Sequence, residues 1–147
     1  MTLEKIKIKK LDNNATIPTR SHSTDAGLDL YASESEWVYE GTLISTGIAV
    51  DIPPGYEGTI RPRSGLTSRT GLRVQLGTVD SGFRGEIKVI ADCIPQGEDG
   101  DQSYAVCAGD KIAQLVISPI ETPEVEVVDE FGSESERGEN GFGSTGK

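Results

Sequence analysis

Glycine and proline, 18 and 7 of the 147 residues, recur too densely for long helices, and the apolar residues between them alternate with polar ones instead of returning at three and four. Alternation belongs on strands, whose successive side chains face opposite sides. The pattern predicts strands at "KIKIK", with Ile6 and Ile8 on one face, and at residues 28–32, 42–52, 56–62, 72–76, 85–92, 104–107, 111–120 and 124–131. "DIPPGYEG" and "PQGEDGD" read as turns between them. Only "SGLTSRTG", residues 64–71, allows a single helical turn. Short, evenly spaced strands of this kind imply an all-β domain, a β-sandwich, jelly roll or small barrel.

A chain of this length suits one domain, which buries about 68–70% of its unfolded surface and needs no metal or disulfide to hold a core. That body is predicted over residues 1–131. From Gly132 the sequence turns to Ser, Glu, Gly and Asn, with Phe142 as its only large apolar residue, so residues 132–147 are predicted to form a flexible arm. Cys93 and Cys107 have no C-x-x-C partner and only His22 to share a metal with, so they read as reduced thiols of a cytosolic protein. "MTLEKIKIKK" lacks a signal peptide's apolar core, and no apolar run approaches a membrane span. The expected location is the cytoplasm, or the host cytoplasm if the source is viral, with no membrane partner.

A formal charge of −10 argues against nucleic-acid binding, since affinity for a phosphate backbone comes mostly from Lys and Arg. The distribution says more than the sum. Residues 61–84 hold Arg61, Arg63, Arg69, Arg73 and Arg84 against Asp80 alone, a balance of +4, whereas residues 121–147 balance to −6. The middle segment is suited to a small polyanion.

Several short stretches carry candidate chemistry, each with an ordinary structural reading beside it. Gly141 to Lys147 matches G-x-x-x-x-G-K, but a P-loop also needs a following Ser or Thr and the helix behind it, and neither follows Lys147. The ordinary reading is a solvated tail; against it, Arg137 can fork onto phosphate oxygens and Phe142 offers an aromatic face. In "RPRSGLT", backbone amides, the Ser64 hydroxyl and two guanidinium groups can converge on an anion, or be a turn with solvated arginines. In "GTVDSGFRGEIKV", Asp80 puts a carboxylate near a hairpin end, although turn aspartates usually bond their own backbone, and Phe83 reads equally as core. Asp29 in "DAGLDL" and Gln114 in "AGDKIAQLVI" break apolar patterns, so each reaches either toward a site or toward an edge.

Taken together and in order, "AGLDLYA", "RPRSGLT", "GTVDSGFRGE", "GDKIAQLVI" and "RGENGFGSTG" closely resemble the five motifs of the trimeric deoxyuridine triphosphatases, the dUTPases, over residues 26–146. The resemblance implies a jelly roll, a homotrimer whose three active sites are each built from all three subunits, and a mobile C-terminal motif that closes over nucleotide. It implies hydrolysis of dUTP to dUMP and pyrophosphate with Mg2+ held mainly by the triphosphate. By motif, Asp80 would orient and deprotonate the water that attacks the α-phosphorus, and Asp29 would anchor the magnesium hydration shell through water. Arg63, Ser64, Gly65 and Gln114 would bind phosphates, and Arg137, Ser144 and Thr145 would clamp the β and γ phosphates. Phe83 would lie under the deoxyribose where a 2′-hydroxyl would clash, and Phe142 would stack on uracil.

The residues support this chemistry independently: with one histidine in the chain no histidine-centred triad is available, and a phosphoanhydride needs positioning and charge neutralisation more than a covalent nucleophile. The chain departs from the pattern at Gly82–Phe83, where many relatives have Asp-Tyr, and at Asn140, where Gly is common. The segment "RVQLG" lacks the Asn with which many bacterial relatives read uracil, so the base is expected to be read by backbone around Leu76, Gly77 and Val79, or with Gln75. Two alternatives stand beside hydrolysis. A dCTP deaminase shares the fold and a turn similar to "DSGF", but the position of its catalytic Glu is here Ile90, with Glu86 nearby. A regulatory protein of the same fold, switched by nucleotide, would use the acidic stretch 93–104 as its partner surface; the ordinary reading is a solvated loop.

Overall fold

The computed structural model describes residues 2–143 except 99 and 101. Among them are eleven strands and one helix: β1 (Lys7–Lys10), β2 (Gly27–Tyr31), β3 (Glu36–Val38), β4 (Thr42–Ser45), β5 (Ile48–Asp51), β6 (Tyr56–Arg61), α1 (Ser64–Arg69), β7 (Leu72–Val74), β8 (Gly77–Val79), β9 (Lys88–Cys93), β10 (Tyr104–Val106) and β11 (Lys111–Pro119). The strands pair antiparallel in a four-stranded sheet, β2–β11–β6–β8, a three-stranded sheet, β4–β9–β7, and two pairs, β1–β5 and β10–β3. The result is the all-β, jelly-roll-like fold that the alternation predicts. No helix of the described residues is long and apolar enough to cross a membrane.

Alternation fills the space between the sheets. Along β9, Val89 and Ala91 point inward while Lys88 and Ile90 point out. Leu30, Ile44, Ile48, Ile52, Leu72, Ile87, Val89, Ile112 and Leu115 are fully buried, each contributing about 1.5–3 kcal/mol by removal from water. β11, nine residues long, is paired on both sides, which makes it the strand that the site's two flanks share.

Four strand expectations change. The run 42–52 divides into β4 and β5 at Thr46–Gly47, where Gly47 adopts φ +69 and the chain passes from one sheet to another. β3 and β8, three residues each, are too short to alternate visibly. The run 72–76 stops at Val74, and Gln75–Leu76 carries the chain from the three-stranded to the four-stranded sheet. Residues 124–131 form no strand. They are extended in sequence pattern, but Val125 and Val127 stand more than nine-tenths exposed, and β11, which ends at Pro119, already has β2 and β6 as neighbours. A strand exists only where a partner supplies its hydrogen bonds, and none of the described residues does so there.

Candidate active site

Asp29 lies on β2 directly opposite Gln114 of β11, which in turn faces Arg61 of β6. Its side chain is only 14% exposed; Arg63 Nε stands 3.5 Å from one carboxylate oxygen and Lys111 Nζ 3.4 Å from the other. The Ser21 hydroxyl donates to the second oxygen over 3.4 Å. Lys111 reaches this face because of a bulge. Lys111 pairs with Tyr31 and Ala113 with Leu30, leaving Ile112 as an extra residue. In a regular ladder Lys111, three residues from Gln114, would point to the opposite face; one inserted residue restores it to the side of Asp29. Sequence reasoning missed Lys111 as a site residue, and its only signal was the adjacent apolar pair Ile112–Ala113.

Beyond Arg61 the chain leaves the sheet through Pro62, Arg63 occupies the N-cap of α1 in an extended conformation, and Ser64 and Gly65 open the helix. The first amides of a helix have no acceptor within it, and α1 has no acid in its first turn to occupy them. The expected phosphate set Arg63, Ser64, Gly65 and Gln114 is therefore brought together with Asp29, and Lys111 joins it. Two further arginines of the segment are committed elsewhere. One Arg73 nitrogen donates to the carbonyls of Thr67, Thr70 and Leu72, and Arg84 pairs with Asp51 at 3.2 Å.

Asp80 belongs to a second group. Gly77, Thr78, Val79, Asp80 and Phe83 line a cavity of about 380 Å3 with Leu43, Ile60, Ile87 and Ile90, and Glu86 and Lys88 also border it. Gly82 turns the chain at φ +84, a backbone that favours glycine, and the Phe83 amide donates to the Asp80 carbonyl. The exposed Asp80 carboxylate makes no ion pair or hydrogen bond among the described residues. Phe83 is half-exposed and its ring lies over Gly85, where a Cβ would fall 2.7 Å from Cζ. Leu76 is exposed beside this cavity's strand. Gln75 is turned away, its amide donating to Asp92 at 2.6 Å. A larger recess, about 450 Å3, is lined by Asp12, Glu34 and Glu86; three carboxylates make it unsuited to a phosphate chain.

These two groups are on opposite edges of one sheet. β2 and β8 are separated by β11 and β6, about 14 Å at ordinary strand spacing. Along the strands Asp29 aligns with Arg61 and Val79 with Gly58, so Asp80 is offset by about 13 Å more. One chain does not bring its two carboxylates to one phosphate. On the arm, Arg137 Nε donates to the Asn140 carbonyl and Phe142 is fully exposed at φ 49. Ser144 and Thr145 lie outside the described residues.

Fold and site together define an acidic jelly-roll-like domain with a cation-lined corner at one sheet edge and a carboxylate-bearing pocket at the other. The dUTPase family model matches residues 13–146. The chain is 44% identical to the deoxyuridine 5'-triphosphate nucleotidohydrolase of Clostridium tetani over the whole of both chains, and 47% identical to that of Gloeothece citriformis over 97% of each. Its fold superposes on the Staphylococcus bacteriophage 80alpha dUTPase with dUpNHpp at a TM-score of 0.89 and 37% identity, covering 99% of this chain and all of that one. That structure comes from work describing phage dUTPases that control transfer of virulence genes by a proto-oncogenic G protein-like mechanism. This chain belongs to the dUTPase family.

Proposed function

We propose that the protein hydrolyses dUTP to dUMP and pyrophosphate by water attack on the α-phosphorus. The observation that carries this reading is the unpartnered Asp80 carboxylate at the mouth of an apolar pocket that also holds Phe83. As a general base, a carboxylate contributes about 10²–10⁴ in rate. Arg63, Lys111, Ser64 and Gly65 hold the phosphates, Phe83 is the wall beneath the deoxyribose, and backbone from Gly77 to Val79 reads uracil. Gln75, tied to Asp92, is withdrawn from that task.

The residues fit a magnesium ion that arrives with its substrate. Mg2+ bound mainly by the triphosphate would be touched through water by Asp29. When bound, Mg2+ neutralises phosphate charge; the chain's own groups position the triphosphate and the water.

The opposite-edge placement supports sites shared between subunits of a homotrimer, the Asp29 corner of one copy facing the Asp80 pocket of another. The unpaired, exposed run 124–131 supports an arm that leaves its own body, carrying Arg137, Phe142, Ser144 and Thr145 to a neighbour's nucleotide as a closing lid. Deamination is disfavoured by the pocket itself: Ile90 lines it where a catalytic Glu would be needed, and Glu86 accepts the Gly47 amide at 3.2 Å. A second reading, a nucleotide-switched regulatory role through residues 93–104, is favoured by the likeness to the phage protein described above.

Pyrophosphate release measured in parallel with dUTP, dCTP, dTTP and UTP, with and without Mg2+, tests the assignment. Release from dUTP alone, and only with Mg2+, is expected; ammonia from dCTP would replace the hydrolase reading with the deaminase one.

A further inference from the structure

Gly27 opens β2 in an ordinary strand conformation, so its backbone does not demand glycine. Space does. A Cβ at Gly27 would lie 2.9 Å from Gln114 Cδ and 3.0 Å from Gln114 Cβ, and would collide outright with Gln114 Oε1. The register explains the contact: Gly27 is opposite Val116 and Asp29 is opposite Gln114, so the Gln114 side chain crosses diagonally and lies flat on the bare backbone of Gly27. From that seat its Nε2 donates to the Pro62 carbonyl at 2.9 Å. The β6–β11 ladder has ended one residue earlier, at Arg61 opposite Gln114, and Pro62 has no N–H with which to extend it. The amide of Gln114 is thus one tie between the sheet and the segment that leads into Arg63, Ser64 and Gly65, beside the Arg63 guanidinium, which donates to the Lys111 carbonyl at 3.5 Å.

We infer that Gly27 is a positioning residue: its missing side chain seats the Gln114 amide, and the seated amide holds the Pro62 carbonyl and with it the approach of Arg63, Ser64 and Gly65 to the phosphate chain. Gln114 acts on phosphate through that loop. The inference rests on the phosphate role proposed for this corner. A β-carbon at residue 27 collides chiefly with the flexible end of Gln114, so the strand accepts alanine while the amide is evicted and the loop loses this tie.

The experiment is a double-mutant cycle on the full-length protein, with Gly27→Ala, Gln114→Ala and the pair, reading dUTP kinetics with Mg2+, dUpNHpp affinity by calorimetry, and melting temperature. Each single variant is expected to raise KM and weaken dUpNHpp binding about tenfold with a smaller change in kcat, and the pair to be no worse than either single, because both remove one tie. Gln114→Glu, which fills the seat but lacks the donor, is expected to behave like Gln114→Ala. A Gly27→Ala protein with parental KM and affinity, an additive double variant, a loss seen only as a lower melting temperature, or a parental Gln114→Glu would each overturn the seat while leaving the hydrolase reading intact. A parent protein without dUTP turnover would end both.

Discussion

The Asp29 corner and the Asp80 turn place the same functional group at two edges of one sheet and treat it oppositely. Asp29 is three-quarters or more withdrawn from solvent and faces Arg63, Lys111 and the Ser21 hydroxyl. Asp80 is exposed and forms no ion pair with a described cation, although Lys88 borders the same cavity. A carboxylate flanked by two cations already has partners for its lone pairs. One without partners keeps its lone pairs for water. The difference supports the proposed division, with binding at one edge and chemistry at the other.

That division can be broken at Asp80 first. Asp80→Asn is expected to lower turnover of dUTP by about 10²–10⁴ while leaving dUpNHpp affinity within about twofold; steady-state kinetics and calorimetry check it, and parental turnover would remove Asp80 as the base. If the two edges of different copies meet, mixing Asp80→Asn with Asp29→Ala chains, unfolded and refolded together, restores roughly a quarter of parental activity, since each site needs one subunit of each kind. Activity that stays at the level of the separate variants would return both edges to one chain.

Removing residues 137–147 is expected to lower kcat/KM by about 10²-fold through loss of positioning, with the oligomeric state by light scattering unchanged. A smaller effect falls on selectivity: Phe83→Ala should reduce the preference for dUTP over UTP about tenfold, and an unchanged preference would detach that ring from the sugar. The smallest concerns neither edge. The Tyr104 phenol is held above its ordinary value, first by burial and then by Asp110. A raised folded value means that the folded state holds its proton longer than the unfolded chain, so this contribution is complete below about pH 10 and fades as pH rises past the folded value. Tyr104→Phe should therefore show a shallower fall in melting temperature on the alkaline side than the parent.

Local patterns exposed much of this in advance. Asp29 interrupts the apolar "LDL", Asp80 precedes a Ser-Gly turn, and "RPRSG" gathers donors within five residues, so each could be picked out as a candidate where it stood. Lys111 could not, because the face it takes depends on the Ile112 bulge, a property of the pairing and not of "KIAQ" alone. Nothing in the sequence around Gln75 shows that its amide bonds Asp92, seventeen residues away. The run 124–131 has the alternation of a strand and lacks the partner, since hydrogen bonding between strands is never a property of one segment. The break at Gly47 was present as "STG" inside an apolar run, but the sheet change it serves was not.

If phosphate binding and the base lie on opposite edges of different copies, abundance becomes a control variable. If no chain owns a complete catalytic centre, dilution removes activity from molecules that remain perfectly folded, and specific activity falls with concentration once subunits part. An enzyme with a self-contained site would lose output only in proportion to its number. Here scarcity would silence each copy as well as thin the population, so a cell holding few chains would hold disproportionately little hydrolysis.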